Sequence, residues 1–343
     1  MRFGYWTPTF GGWLRNDPDE GVPATFAYVR DLAAAAEASG FALTLVPELN
    51  LNDIKGPSGP VLDATAVAAG LAATTHELEI MLAVRPAFHP PALTARQLAT
   101  IQDAAAGRLS LNIVSAWWAE EARQYGVPFG DHDARYAVTR EYVEVLRGLW
   151  QHTPYSFDGA HYAFDGTHLE PKPVSAPLIY AGGESEAGRE AITEFADAYV
   201  THGGTVTELE EKIRDMRRRR SEVGRPDLAH IGMSAFVVVR DTEEEAQEEV
   251  RRITAVTEGP AYDSYRAFVE NSNLDVEVAL ADYSVSNRGL RPNLVGTPET
   301  VAGRIRDFEA VGVDTLLLQF SPPLEDLERF GRQVIPLVDG GTA

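Results

Sequence analysis

The densest chemistry in the chain lies between Leu109 and Tyr136. A short apolar run, Leu109-Ser110-Leu111-Asn112-Ile113-Val114, leads into Ser115, Trp117 and Trp118. Glu120-Glu121, a glycine turn and Asp131-His132-Asp133-Ala134-Arg135-Tyr136 follow. One strand-like segment is thus succeeded by an amide, a hydroxyl, two indoles, a carboxylate, a guanidinium and a phenol. That inventory suits a flat, polar, phosphorylated ligand. Asn112 closes an apolar strand, so its amide needs partners, from the core or from a ligand. Arg135 can pair a phosphate bidentately, with Tyr136 as a phenolic donor. A surface salt bridge and a packed ring are the plain alternative. The indoles could wall an aromatic ligand or cap a barrel.

A second cluster is Gly182-Gly183-Glu184-Ser185, between a strand-like and a helix-like run. Its glycines let the backbone approach a ligand, and a helix start offers free N–H groups at the positive end of a dipole. Ser185 adds a hydroxyl. Phosphate binding is one reading of this turn and an ordinary strand-to-helix connection is the other. His89, His132 and His202 lack metal-ligand spacing and no H-E-x-x-H occurs, so no metal is expected. No G-x-S-x-G elbow supports serine hydrolysis. Cysteine is absent from the 343 residues, which excludes disulfides, thiolate zinc sites and cysteine nucleophiles.

The elements that must position these residues alternate from end to end. Strands are predicted at Arg2–Thr7, Phe41–Val46, Leu78–Val84, Arg108–Val114, Leu178–Ala181, Ala198–Thr201, His230–Val239 and Asp314–Phe320. Helices are predicted at Ala24–Ser39, Asp63–Thr74, Ala92–Ala106, Thr139–Gln151, Glu186–Phe195, Thr207–Ser221, Thr242–Ala255 and Pro298–Val311. Asp63, Thr242 and Thr297 have N-cap chemistry. Eight strand-then-helix units imply parallel strands, and closing them gives an α/β fold, the (β/α)8 or TIM barrel. An open doubly wound sheet is disfavoured by the count of eight and by the missing G-x-G-x-x-G after the first strand. The chain reads as one domain over residues 1–343, with insertions at about 117–131 and 255–293. The second, long and polar, has the character of an active-site lid.

The chain carries 30 basic against 51 acidic residues, a net charge of −21. Nucleic acid and anionic membrane surfaces would repel it. No apolar run approaches the roughly 20 residues needed to span a bilayer. The amino end has no signal-peptide layout, so a soluble cytoplasmic protein is expected.

With these residues in view the chain resembles the bacterial luciferase-like family, and within it the two-component monooxygenases dependent on reduced FMN. The anchors are Phe3-Gly4-Tyr5-Trp6, Arg96-Gln97-Leu98-Ala99-Thr100-Ile101, Gly107-Arg108, Asn112-Ile113-Val114-Ser115 with Trp117, and His132-Asp133 with Arg135-Tyr136. Pro171-Lys172-Pro173, Ala181-Gly182-Gly183 with Ser185, and Leu294-Val295-Gly296-Thr297-Pro298 complete them. The dimethyl-sulfone and alkanesulfonate branches are most similar, through Phe320-Ser321-Pro322 and Leu324-Glu325-Asp326.

The resemblance implies a barrel that binds FMN, as FMNH2, at its mouth. Asn112 and Glu121 would face the flavin ring or ribityl chain, and Arg135, Tyr136, Gly182, Gly183 and Ser185 would hold the chain and phosphate. Asn112, Ser115 and Trp117 would serve the reaction with O2, and Arg85 and Arg288 are the anion-binding candidates. A separate NAD(P)H:flavin reductase would supply the reduced cofactor. The substrate would be a small organosulfur or organonitrogen compound, with C–S or C–N cleavage. The sequence also departs from the sulfonate branch: its seventh-strand arginine and histidine correspond to Ser234 and Phe236, and a tyrosine after the eighth strand to Ser321. A lysine or arginine of the pyrimidine and sulfone branches falls at Pro47. These changes imply a less charged substrate. A deazaflavin (F420)-dependent hydride-transfer enzyme and a non-catalytic flavin-binding protein are the alternatives on the same barrel. A homodimer or homotetramer pairing through the alanine-rich 31–38 and 64–73 helices is expected.

Overall fold

The computed structural model describes residues 1–115, 118–130, 132–255, 262–263, 285 and 289–340, the side chains of His132 and Asp133 excepted. Eight strands close a parallel barrel: β1 (Arg2–Trp6), β2 (Leu43–Val46), β3 (Glu79–Val84), β4 (Leu109–Ile113), β7 (Leu178–Gly182), β8 (Ala198–Thr201), β9 (Ile231–Phe236) and β12 (Thr315–Gln319). Around the circle they run β1-β12-β9-β8-β7-β4-β3-β2 and back to β1. Each lies within two residues of its predicted bounds except the seventh. There the predicted run His230–Val239 stops pairing in the barrel at Phe236. Val238–Val239 becomes a separate strand, β10, parallel to β11 (Val295–Gly296). The run is apolar on both faces, so nothing in its pattern marks the change of partner.

Alternation sorts each strand into two faces. On β4, Leu109, Leu111 and Ile113 join the large core between strands and helices, which turns Ser110 and Asn112 toward the axis. Leu43, Leu45, Met81, Tyr180, Ala198, Val200 and Leu317 fill the interior, as packed layers do in such barrels. The floor, at the amino ends of the strands, is polar and closed. Arg2 donates to Tyr180 Oη (3.1 Å) and Glu79 Oε2 (2.5 Å), and Ser110 Oγ donates to Glu79 Oε1 (2.5 Å). The mouth lies at the carboxyl ends.

The outer helices are α1 (Phe26–Ala38), α2 (Ala64–Thr74), α3 (Pro91–Ala104), α4 (Ala119–Gln124), α5 (His132–Gln151), α6 (Glu186–Phe195), α7 (Val206–Glu222) and α8 (Glu243–Ile253), followed by Pro298–Ala310, Pro323–Gln333 and Ile335–Asp339. Asp63, Thr242 and Thr297 cap their helices through the side chain. Three features escaped the sequence pattern. Helix α5 begins at His132, seven residues before the predicted Thr139, because its first turns are polar and carry no apolar period. Arg135 and Tyr136 therefore lie within a helix rather than before one. An antiparallel hairpin, β5 (Tyr155–Asp158) with β6 (Ala163–Thr167), packs on α5. Tyr155 fills the space that a Cβ at Gly148 would need. Finally, Pro323–Gln333 seals the barrel beside β1, with the Phe330 ring edge-on to Phe3 at 5.5 Å and to Phe320 at 5.7 Å. Within the 117–131 insertion sits α4. Of the expected 255–293 lid, only a few residues are described, among them Val285, which bridges Leu14 antiparallel.

Candidate active site

The site is built where β7 passes into α6. Ser185 is the N-cap of α6, its Oγ accepting from Gly188 N at 3.2 Å. The Tyr136 hydroxyl, on α5, hydrogen-bonds the Ser185 side chain. Burial raises the pKa of this phenol above its ordinary value, while Ser185 and the Arg135 charge pull the other way. Tyr136 therefore remains a protonated donor at neutral pH. Tyr199 Oη donates to the Gly183 carbonyl at 3.0 Å and fixes the turn from β8. A Cβ at Gly188 would lie 2.6 Å from Tyr136 Oη, and one at Gly183 would lie 3.2 Å from it. The glycines thus make room for the phenol, and only small residues permit this approach. Glu184 would place a negative charge in the turn, but Lys212 Nζ meets its carboxylate at 2.6 Å. Glu186 is drawn off by Arg189 and Arg219. The turn thus gathers a hydroxyl, a phenol and the first N–H groups of a ten-residue helix, chemistry whose hydrogen bonding and dipole both favour an anion.

One strand away, Asn112 is buried and its Oδ1 has no partner among the described residues. A buried unpartnered amide oxygen is costly unless a ligand satisfies it. Gly182 stands on the inner face between them by alternation. Arg135 lies in the first turn of the same helix as Tyr136, with Nη1 donating to Gly130 O (3.1 Å) and its guanidinium over the Phe129 ring (4.5 Å). Ser115 bonds Thr139 Oγ1 at 3.0 Å, and Thr139 donates to the Arg135 carbonyl at 2.8 Å. The Ser115 hydrogen is therefore used to pin α5, which sets where Arg135 and Tyr136 stand. Trp118 is buried at the start of α4. Trp117 and Arg288 lie outside the described residues.

Arg85 and Glu121 require a revised reading. Both are fully buried, and the two terminal guanidinium nitrogens meet the two Glu121 oxygens. Asn50 N also donates to Glu121. Glu48 accepts from the Arg85 backbone N–H at 2.7 Å, lies 3.6 Å from its Nε, and meets His89 Nε2 at 2.5 Å. The Arg85 charge is thus balanced by two carboxylates, leaving no net cation for an anion. Glu121, with both oxygens occupied, braces the mouth between β2, β3 and α4. Sequence reasoning separated these two residues because nothing in their spacing announces the pair. It also passed over Gly188 and Lys212, and gave the strand-end Gln319 no role. The first turn of α6 and the inner-face alternation of β12 were the available signals.

A closed parallel barrel with polar side chains gathered at the carboxyl ends of its strands defines a (β/α)8-barrel enzyme. More narrowly, residues 1–315 match the luciferase-like monooxygenase family, and the chain belongs to it. It is 34% identical to an FMNH(2)-dependent dimethylsulfone monooxygenase of Pseudomonas putida, over 98% of this chain and 95% of that protein. Among solved structures, riboflavin lyase with modified FMN and riboflavin aligns at a TM-score of 0.84 and 22% identity, covering 100% of this chain and 92% of that one. DmoA from Hyphomicrobium sulfonivorans aligns at 0.81 and 20%, covering 100% and 88%. At those identities the structural likeness concerns the fold. Among the described residues, no helix is long and apolar enough to cross a membrane.

Proposed function

We propose that this enzyme uses FMNH2 and O2 to oxygenate a small organosulfur compound of the sulfone kind, with C–S cleavage as the outcome. The observation that carries the reading is the convergence of Tyr136, Ser185 and the α6 N-terminus one strand from the unpartnered Asn112 oxygen. The residues fit the cofactor: Ser185, Tyr136 and the α6 N–H groups would hold the phosphate, Arg135 adds positive charge, and Asn112 Oδ1 would accept from the ring or ribityl chain. Reduced FMN, when bound, supplies the two electrons that let one atom of O2 enter the substrate. The work of the chain is then to exclude water and orient the substrate. Trp6, half-buried at the end of β1, and Trp118 supply apolar walls. The sulfone class is supported by the dimethylsulfone relative and by uncharged Ser234 and Phe236 on β9.

The missing dinucleotide fingerprint supports a separate NAD(P)H:flavin reductase as electron source. The assembly belongs to the same proposal. Ala34, Ala38, Ala66 and Ala73 are exposed on α1 and α2, faces suited to close pairing in a homodimer or homotetramer, and sedimentation reads the state.

The test is anaerobic titration with photoreduced FMN, followed by mixing with air and dimethyl sulfone. Saturable binding and an oxygen-dependent product are expected. Binding of reduced F420 in place of reduced FMN, or no product from sulfones, would overturn the proposal. Ser185→Ala with Tyr136→Phe should weaken reduced-FMN binding roughly tenfold or more, the loss of two hydrogen bonds to a charged group.

A further inference from the structure

Gln319 ends β12 almost completely buried, at 1% exposure, and neither its Nε2 nor its Oε1 has a partner among the described residues. Alternation puts it on the inner face with Leu317, a member of the interior cluster. It pairs in register with Phe236 on one side. On the other, Trp6 lies one step past the Tyr5–Leu318 pair. The Trp6 indole Nε1 is also buried and has no partner among the described residues. In the eight-strand circle, β12 and β4 stand opposite each other. Gln319 and Trp6 therefore face the Asn112 side across the mouth, away from the β7–α6 turn.

We propose that Gln319, with the Trp6 indole, is the substrate-recognising wall of this site. Its ligand is a small uncharged molecule with strong acceptor oxygens, of the sulfone or amide kind. The inference rests on the monooxygenase reading above and assigns the opposite half of the same mouth. Two buried donors, Nε2 and the indole N–H, match two acceptor oxygens on one atom. A neutral amide repays the dehydration of a neutral polar group, but not that of an anion, which needs a buried countercharge. Trp6, Gln319, Ser234 and Phe236, the inner residues of this wall, carry none.

The experiment uses the full chain with photoreduced FMN, with dimethyl sulfone and methanesulfonate as probes. Wild type should turn over dimethyl sulfone in preference to methanesulfonate. Gln319→Leu should raise KM for dimethyl sulfone about tenfold and leave the reduced-FMN Kd within about twofold. It should also raise the Tm of the ligand-free protein by about 1–2 °C, because two unsatisfied buried atoms are removed. Trp6→Phe, which keeps a ring and loses the N–H, should raise the same KM about threefold to tenfold. A weakened reduced-FMN Kd with unmoved KM would assign Gln319 to the cofactor and overturn the proposal. So would a lowered Tm with unmoved KM, or a preference for methanesulfonate. No reduced-FMN binding by wild type would instead overturn the monooxygenase reading beneath it.

Discussion

Replacing Glu121 by Gln separates a structural brace from a cofactor contact. Glu121 has no exposed surface, Arg85 is 1% exposed, and the pair is bidentate. Breaking a buried pair by removing one partner costs about 3–5 kcal/mol, because a charge is left without compensation. Here Glu48 remains 3.6 Å from Arg85 Nε, so the loss should fall near about 3 kcal/mol. An unfolding entropy of about 2.1 cal/mol/K per residue gives about 0.7 kcal/mol/K for this chain, and hence a Tm drop of about 4 °C. The same variant should leave the reduced-FMN Kd within about twofold. The double variant Arg85→Met with Glu121→Leu, which removes both charges and keeps the volume, should recover most of the lost stability. Thermal unfolding of the ligand-free protein and anaerobic flavin titration measure the two effects. A Tm within about 1 °C of wild type, with tenfold weaker flavin binding, would refute the brace and return Glu121 to the cofactor.

Gly188→Ala should weaken reduced-FMN binding about tenfold or more with little change in Tm. Its Cβ would meet Tyr136 Oη at 2.6 Å, and the overpacking cost of about 1–3 kcal/mol is partly offset by up to about 1 kcal/mol of helix propensity. Phe330→Ala should lower stability by about 3–5 kcal/mol in denaturant titration, since the ring is fully buried against Phe3, Phe41 and Phe320. The hydrogen-bonded Arg291 guanidinium holds the Glu208 carboxyl at about 2, against an ordinary 4.5. A carboxylate depressed in the folded state stabilises fully above its ordinary value, and that contribution is lost as pH falls toward 2. Partial exposure screens the pair, so the effect is modest. Arg291→Ala should flatten the acid limb of Tm against pH between about 4.5 and 2, and an unchanged limb would contradict the assignment.

The barrel was legible because each strand is short, apolar and followed by a helix with its own caps. Asp63, Thr242 and Thr297 announce their helices through local side-chain caps, and such signals need no tertiary context. The change of partner at Phe236 was not legible, because Val237-Val238-Val239 would satisfy either sheet equally. Similarly, the polar start of α5 lacks a period and declares itself only by packing. The site follows the same division. The Gly182–Ser185 turn is local, so its type could be read from four residues. The Arg85–Glu121 pair joins residues 36 positions apart, and a guanidinium at a strand end looks the same in sequence whether it awaits an anion or already holds a carboxylate.

That ambiguity has a physical resolution in the ledger of unsatisfied atoms at the mouth. Charged groups are matched there: Arg85 by Glu121 and Glu48, and Glu184 by Lys212. Among the described residues, the buried atoms there without a hydrogen-bond partner include Asn112 Oδ1, the Trp6 indole nitrogen and both ends of Gln319, and the charged exception, Arg85 Nε, still lies 3.6 Å from the Glu48 carboxylate. Folding tolerates unpartnered neutral polar atoms at a modest cost, whereas an unpartnered buried charge costs several times more. A site for an uncharged substrate can therefore stay partly unsatisfied in the ligand-free state, and one for an anion must carry a counter-ion or stay wet. On the proposed reading, satisfied charges beside idle amides are what recognition of a neutral, oxygen-bearing molecule would require of an already folded barrel.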